Sequence, residues 1–230
     1  MPDHAQLEEL AAATRRLVRT VDGMSDAEYA EPSLLPDWTR GHVVAHLALN
    51  AEGLAGALRG LTEGRSVPMY ASQEARDGDI AVLGAAEPQA VRGRLLGAVT
   101  DLSHAIAAIP EEAWDSSIDR TPDGRRTFQA SSVPWMRHRE VEIHHADLGL
   151  AYSRADWPVA FAERLVESMV GRCPDERITL HATDLDRTWE VAGGGPRVTG
   201  TVTDLAWWLT GRSGADLTCD SGAVPAMAAW

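Results

Sequence analysis

A long helix with apolar side chains on nearly all of its faces constrains the fold of this chain more than any other feature. The segment DWTRGHVVAHLALNAEGLAGALRGL has the spacing of one continuous helix that begins near Thr39. A helix that is apolar all round is stable in water only when other elements cover most of its surface. The sequence therefore predicts that this helix lies inside a bundle.

Three further segments have the helical period and can supply that cover. They are residues 3–21, the segment EPQAVRGRLLGAVTDLSHAIAAI with Pro88 near its first turn, and a segment at about 135–152. SDAE, starting at Ser25, is a capping box for a short helix, and residues 64–86 are expected to be helical only in part. Together these segments predict a four-helix bundle.

The pattern changes between Ser153 and Pro158. Beyond it, PVAFAERLVESMVGR predicts one more helix, and RITLHATD, TWEVAG and PRVTGTV predict short strands, with GGGP (193–196) as a turn. VTDLAWWLTGR predicts a helix and ADLTCD a last strand, whereas the earlier DRTPDGRRTFQASS predicts a turn-rich loop. We therefore expect an α + β protein, with a helical bundle over 1–153 and a small α+β domain over 154–230.

The net charge of the chain indicates which kinds of molecule it can bind. The formal net charge is −13, and every basic side chain is an arginine, which is typical of a high-GC genome and suggests an actinobacterial source. A chain this acidic, without a basic stripe, is expected to bind neither nucleic acid nor an anionic membrane. It would hold an acidic small molecule through a few well-placed arginines, and we expect it to be a monomer.

The cysteines and the N-terminus indicate the compartment. Cys173 and Cys219 form neither a CxxC pair nor a disulfide framework. The N-terminal residues lack the apolar core of a signal peptide, and no stretch approaches the roughly 20 apolar residues of a membrane span. A reduced, cytoplasmic protein is expected.

The segment WMRHREVEIHHADLGL concentrates ligand-type side chains. Three histidines and two glutamates fall within the eight residues from His138 to His145. Glu140 and His144 are four apart and lie on one face of a helix, as do His138 and Glu142, while Glu142 and His145 are three apart. Several trios on this helix could therefore contribute to a metal site.

A second histidine pair at the same spacing, His42 and His46, lies on the apolar helix. A bundle could bring one of them opposite Glu140, and two imidazoles with one carboxylate leave an open position on a tetrahedral zinc ion. Spacing alone does not choose the trio. The alternative is a solvated helix face, on which Arg137 and Arg139 pair with the carboxylates.

LPDWTRGHVVAHL and RHREVEIHHADLGL resemble the two signature segments of the mycothiol-dependent maleylpyruvate isomerase family. The resemblance implies a DinB-like metal-binding bundle, followed by a sterol-carrier-like domain that contains DRTWEV and VTGTVTDLAWWLTGR. It implies His46, Glu140 and His144 as the metal ligands, with Asp147 and Leu148 completing the second motif. His138, Glu142 and His145 would then lie behind the ligands, on the surface or along the pocket.

The resemblance also implies a contribution from the C-terminal domain. Arg212, in WWLTGR, matches the arginine that this family brings into its active site. The structural alternative is an arginine near a helix C-terminus that interacts with the helix dipole. Trp207 and Trp208 are expected in the core, although one of them could line the cleft between the domains.

The activity that the resemblance implies is the isomerisation of maleylpyruvate to fumarylpyruvate, with zinc and mycothiol as cofactors. The zinc-bound thiolate would add to the cis double bond, and rotation and loss of the thiol would give the trans product. Three alternatives remain open. They are another mycothiol S-transferase, for detoxification or natural-product assembly; a non-catalytic metal-binding sensor; and a metal-dependent hydrolase, disfavoured because the motifs contain no dedicated general base.

Overall fold

The computed structural model of the chain describes residues 2–171 and 177–228. The chain divides into two compact units, Met1–Leu150 and Ala151–Trp230. Cys173, which we expect to form no disulfide, lies outside the described residues. None of the helices in the described residues has the length and apolar character needed to cross a membrane.

The first unit is the predicted helical bundle. Its helices are α1 (His4–Gly23), α2 (Arg40–Thr62), α3 (Gln73–Gly84), α4 (Pro88–Ala108) and α5 (Val133–Asp147). The predicted capping signals are present: the Thr39 side chain accepts a hydrogen bond from the backbone N–H of His42, and Pro88 is the first residue of α4. A 3₁₀ turn follows the capping box at Ser25. The α+β class, with a bundle first, is confirmed.

Helix α2 lies inside this bundle, as its composition predicts. It packs against α3, α4 and α5. Fourteen of its 23 residues are buried, and they cover most of its circumference, which is why the helix tolerates apolar residues on almost every side. The central position of α2 brings its first two turns against α5.

Helix α5 is shorter than predicted. The pattern suggested a helix to about residue 152, but the helix ends at Asp147. Gly149 has φ +65°, a left-handed conformation that glycine adopts without steric cost and that commonly follows the last helical turn. The carbonyl of Asp147 accepts a hydrogen bond from the backbone N–H of Leu34 instead of continuing the helix.

A small hairpin replaces part of the predicted loop before α5. Strands β1 (Ser117–Asp119) and β2 (Thr127–Gln129) pair antiparallel. The turn-rich loop predicted here forms the turn between the two strands, and the strands were not predicted because three residues are too few to show an alternating pattern. The end of β1 also holds an earlier segment: the backbone N–H groups of Met69 and Tyr70 donate to the carbonyls of Asp119 and Arg120, both at 3.0 Å.

The second unit is a small α+β fold. Helix α6 (Val159–Val170) packs against α7 (Val202–Leu209), and α7 contacts the sheet. The sheet has the order β4-β3-β5-β6, in which β3 pairs parallel with β5, and the other two pairs are antiparallel. Its strands are β3 (Ile178–Ala182), β4 (Arg187–Val191), β5 (Arg197–Gly200) and β6 (Thr218–Cys219). All the elements predicted for this unit are present.

Candidate metal centre

Helices α2 and α5 bring three ligand-type side chains together at one point of the bundle. His46 comes from α2, and Glu140 and His144 come from α5 at a spacing of four residues. One ligand atom from each lies within 4.8 Å of the other two. Oε2 of Glu140 is 2.9 Å from Nε2 of His46 and 3.2 Å from Nε2 of His144. The structure thus brings together the three residues that the resemblance implies.

The three side chains are protected from water to different extents. His46 and His144 are buried, whereas 18% of the Glu140 side chain is exposed. The two imidazole rings meet edge to face, with centroids 4.6 Å apart, and the Trp38 ring lies 5.7 Å from that of His46. Ring packing among Trp38, His46 and His144 therefore holds the cluster in place, and the Glu140 side chain is its most exposed member.

Burial and mutual contact set the charges of the cluster. Burial lowers the pKa of His46 to about 4, so this imidazole is neutral at physiological pH. Burial also opposes ionisation of Glu140, but the neighbouring His46 and His144 hold the pKa of that carboxyl well below its usual value. A neutral imidazole and an ionised carboxylate are the forms that bind a metal ion.

His144 has a carboxylate behind it. Burial works against protonation of this imidazole, but hydrogen bonds with Asp147 and Glu140 raise its pKa above the usual value. Nδ1 of His144 donates to Oδ2 of Asp147 at 2.8 Å, and Asp147 is fully buried. An Nδ1–H held in this way leaves Nε2 to face the cluster, as carboxylate–histidine pairs do in metal sites.

We expect Asp147→Asn to weaken metal binding without removing a ligand. Loss of such a carboxylate partner typically lowers metal affinity by about 10- to 100-fold, because the imidazole loses basicity and orientation. Competition with a chromophoric chelator measures the change. Asp22→Asn, at an exposed position on α1, is the control. An Asp147→Asn protein with wild-type affinity would show that this carboxylate only stabilises the end of α5.

The chemistry of the three side chains shows whether a metal ion fits between them. Two imidazole nitrogens and one carboxylate oxygen are the usual three protein ligands of a catalytic zinc site, which keeps a fourth position open. The Glu140 side chain is partly exposed, so the cluster lies close to the protein surface. The residues present therefore fit a divalent metal ion.

Comparison with known proteins identifies the family of the chain. The family model described as "Mycothiol maleylpyruvate isomerase N-terminal domain" matches residues 10–149. The chain belongs to this family. Among solved structures, a crystal structure of the mycothiol-dependent maleylpyruvate isomerase is similar, with a TM-score of 0.90 and 31% identity, covering 100% of this chain and 98% of that one. A histidine-to-alanine mutant of that isomerase gives a TM-score of 0.90, 30% identity and the same coverage. No curated protein sequence matches the chain.

Two other histidines of the family motifs, His42 and His145, have different partners. Nδ1 of His42 lies 2.7 Å from the hydroxyl of Thr39, at the start of α2. On the face of α5 that packs against α1, Nε2 of His145 lies 2.8 Å from the hydroxyl of Thr20. Neither histidine belongs to the three-residue cluster.

The alternative of a solvated face on α5 is wrong. Arg137 is buried and donates from Nη1 to the carbonyl of Leu47 and to Oδ1 of Asn50, both at 2.8 Å. Burial lowers the pKa of Arg137 to about 10. The face of α5 that contains His138 and Glu142 is also buried, and Glu142 pairs with an arginine of α1. The solvated-face alternative fails because neighbouring elements cover α5.

Sequence reasoning missed one side chain that contacts the cluster. Nη2 of Arg76, on α3, lies 3.1 Å from Nδ1 of His46, and Nη1 pairs with Asp77 at 2.7 Å. The guanidinium donates, so Nδ1 of His46 accepts and its Nε2–H donates to Glu140 in this arrangement. No local signal distinguishes Arg76 from a surface arginine, because its partner is 30 residues away in the sequence.

Arg212 lies in the second unit, just after α7. Its guanidinium carbon is 5.5 Å from the centre of the Trp207 ring, and Nη1 donates to the carbonyl of Thr210 at 3.0 Å. Arg212 and Trp208 line a cavity of about 300 Å³. Both tryptophans are buried, as expected, and their indole N–H groups donate to backbone carbonyls. Arg212 is therefore beside a cavity whose walls come from its own unit.

Proposed function

We propose that the chain is a mycothiol-dependent isomerase that converts maleylpyruvate into fumarylpyruvate. The observation that carries the proposal is the cluster of His46, Glu140 and His144. It lies in a chain that aligns along its whole length with a structure of that isomerase. The family is described by its use of mycothiol. The three side chains of the cluster could hold a metal ion that binds the mycothiol thiol as a thiolate.

We propose zinc as the metal, which His46, Glu140 and His144 would hold. A bound zinc ion lowers the pKa of a thiol at its open position and holds it as a thiolate. Cys219 lies in the second unit, beside Ser221. Because no described cysteine belongs to the cluster, the reactive thiol is expected to come from mycothiol.

The side chains of this protein would then perform four tasks. His46 and His144 would hold the metal through imidazole nitrogens, and Glu140 would add a carboxylate ligand. Asp147 keeps His144 in one tautomer. Arg212 would pair with a carboxylate of the substrate, since a guanidinium offers two parallel donors to a carboxylate. The thiol converts the cis double bond transiently into a single bond, about which the substrate can rotate.

A second candidate is a mycothiol S-transferase with another electrophile. The donor set favours it equally, because the three ligands act on the thiol and not on the second substrate. The identity of about 31% with the solved isomerase leaves room for a different electrophile. The two functions differ in the fate of the thiol: an isomerase regenerates it, whereas a transferase consumes one thiol per product.

One assay separates these functions. Purified, zinc-loaded protein is incubated with maleylpyruvate, with and without mycothiol, while fumarylpyruvate and free thiol are both measured. We expect many turnovers per mycothiol and a constant thiol concentration. Loss of one thiol per product would establish the transferase, and an absence of product with mycothiol present would refute the isomerase.

A further inference from the structure

A tyrosine beside the metal centre is flanked by two arginines that the sequence did not single out. Tyr70 lies in the segment between α2 and α3, and its backbone N–H is held by the carbonyl of Arg120. The guanidinium carbon of Arg76 is 5.7 Å from the centre of the Tyr70 ring, and that of Arg120 is 5.4 Å from it. Three separate elements of the first unit therefore place two cations around one ring.

Arg76 connects this group to the metal ligands. Its Nη2 is 3.1 Å from Nδ1 of His46, while Nε2 of the same ring faces Glu140. Its Nε is buried and has no hydrogen-bond partner among residues 2–171 and 177–228. Only 15% of the Arg76 side chain is exposed. A largely buried guanidinium with an unsatisfied donor is costly unless an acceptor reaches it.

A metal ion would change what Arg76 can bind. If His46 held a metal through the ring nitrogen that faces Glu140, its ring proton would be on Nδ1, which could then not accept a hydrogen bond from a guanidinium. The Nη2 group of Arg76 would lose this acceptor and could donate to another one.

The charges around Tyr70 do not balance. Among the residues that the structure describes, no carboxylate lies within 4 Å of the guanidinium of Arg120 or of the buried Arg137. Glu140, which acts electrostatically on Tyr70, would be neutralised by a metal, and Asp77, which pairs with Arg76, is 58% exposed. In a chain with net charge −13 this is a local excess of positive charge, and it attracts anions.

We propose that Arg76 and Arg120 bind a carboxylate of an acidic substrate beside the metal centre. Each planar guanidinium provides parallel N–H donors that match a carboxylate, and both guanidinium groups contact the Tyr70 ring. The identity of the substrate rests on the proposed function, but the carboxylate site itself does not. It lies entirely in the first unit and is separate from Arg212.

The test measures binding of maleate, a cis-dicarboxylate, to zinc-loaded protein without thiol, by isothermal titration calorimetry at fixed ionic strength. The variants are Arg76→Ala, Arg120→Ala and Arg120→Lys. Arg125→Ala is the matched control, because Arg125 belongs to the same hairpin but is 86% exposed and pairs with Asp123. Zinc content is measured for every variant.

We expect the dissociation constant of maleate to rise by at least about tenfold in Arg76→Ala and in Arg120→Ala, as loss of a charge-assisted pair should produce. Arg120→Lys should recover part of the affinity, and Arg125→Ala should match wild type. Because Arg120 contacts none of the metal ligands, Arg120→Ala decides the result. Wild-type affinity in that variant would overturn the proposal and leave the arginines as packing for Tyr70. A failure of the isomerase assay would leave this titration unaffected, so the two proposals fail separately.

Discussion

His46→Ala is expected to lose its metal and, with it, all thiol-dependent turnover. His46 is the ligand that α2 contributes, while Glu140 and His144 both come from α5. Two ligands on one helix would hold the metal far more weakly than three on two helices. Removing a carboxylate that hydrogen-bonds a ligating histidine typically lowers metal affinity by roughly 10- to 100-fold. The loss of metal affinity in His46→Ala should be larger, because a ligand itself is removed. Elemental analysis after gel filtration measures the metal content.

The matched control for this variant is His42→Gln, one helical turn earlier on α2. His42 is the third residue of the helix and interacts with Thr39, a role that glutamine also fills in capping boxes. We expect His42→Gln to keep about one metal per chain and near wild-type turnover. Full metal occupancy in His46→Ala would show that the ligand set is wrong.

Arg212→Ala is expected to lower kcat/KM by at least about tenfold while leaving metal content unchanged. Losing one charge-assisted pair with a buried partner costs about 2–5 kcal/mol, and the three proposed ligands all belong to the first unit. Arg212→Lys keeps the charge but loses the two-pronged geometry, so it should recover only part of the activity. Steady-state kinetics with maleylpyruvate measures the effect.

The control for Arg212 is Arg197→Ala, which removes an exposed arginine from β5 of the same unit. It should leave kinetics and metal content at wild-type values. If Arg212→Ala also kept wild-type kinetics, the role of Arg212 would be confined to its contacts with Trp207 and Thr210. If Arg212→Ala lost its metal, the assignment of all three ligands to the first unit would be wrong.

The helices could be predicted because their buried apolar residues recur with the period of an α-helix. Residues of α1 such as Leu10, Leu17 and Val21 are buried on one side, and α2 is apolar on most sides because it is enclosed. The end of α5 could not be predicted from that pattern, since Leu148 and Leu150 continue the apolar spacing. The backbone conformation of Gly149 ends the helix instead.

The candidate site was predictable only in part. Helical spacing indicated that Glu140 and His144 share a face, but the choice of His46 over His42 came from the family motif. Arg76 and Arg120 had no comparable signal, because they lie in different parts of the chain and approach Tyr70 only through the tertiary fold. A spacing rule detects ligands on one helix, whereas it cannot detect side chains that separate segments bring together.

Cobalt(II) substitution tests the central claim, that the metal held by His46, Glu140 and His144 binds a thiol at its open position. Cobalt(II) reports a bound thiolate by a sulfur-to-metal charge-transfer band in the near ultraviolet. We expect mycothiol to produce this band, saturating at one thiol per metal, in wild-type protein and in Cys219→Ser, but not in His46→Ala. A fully cobalt-loaded wild-type protein that shows no such band at saturating mycothiol would contradict the account.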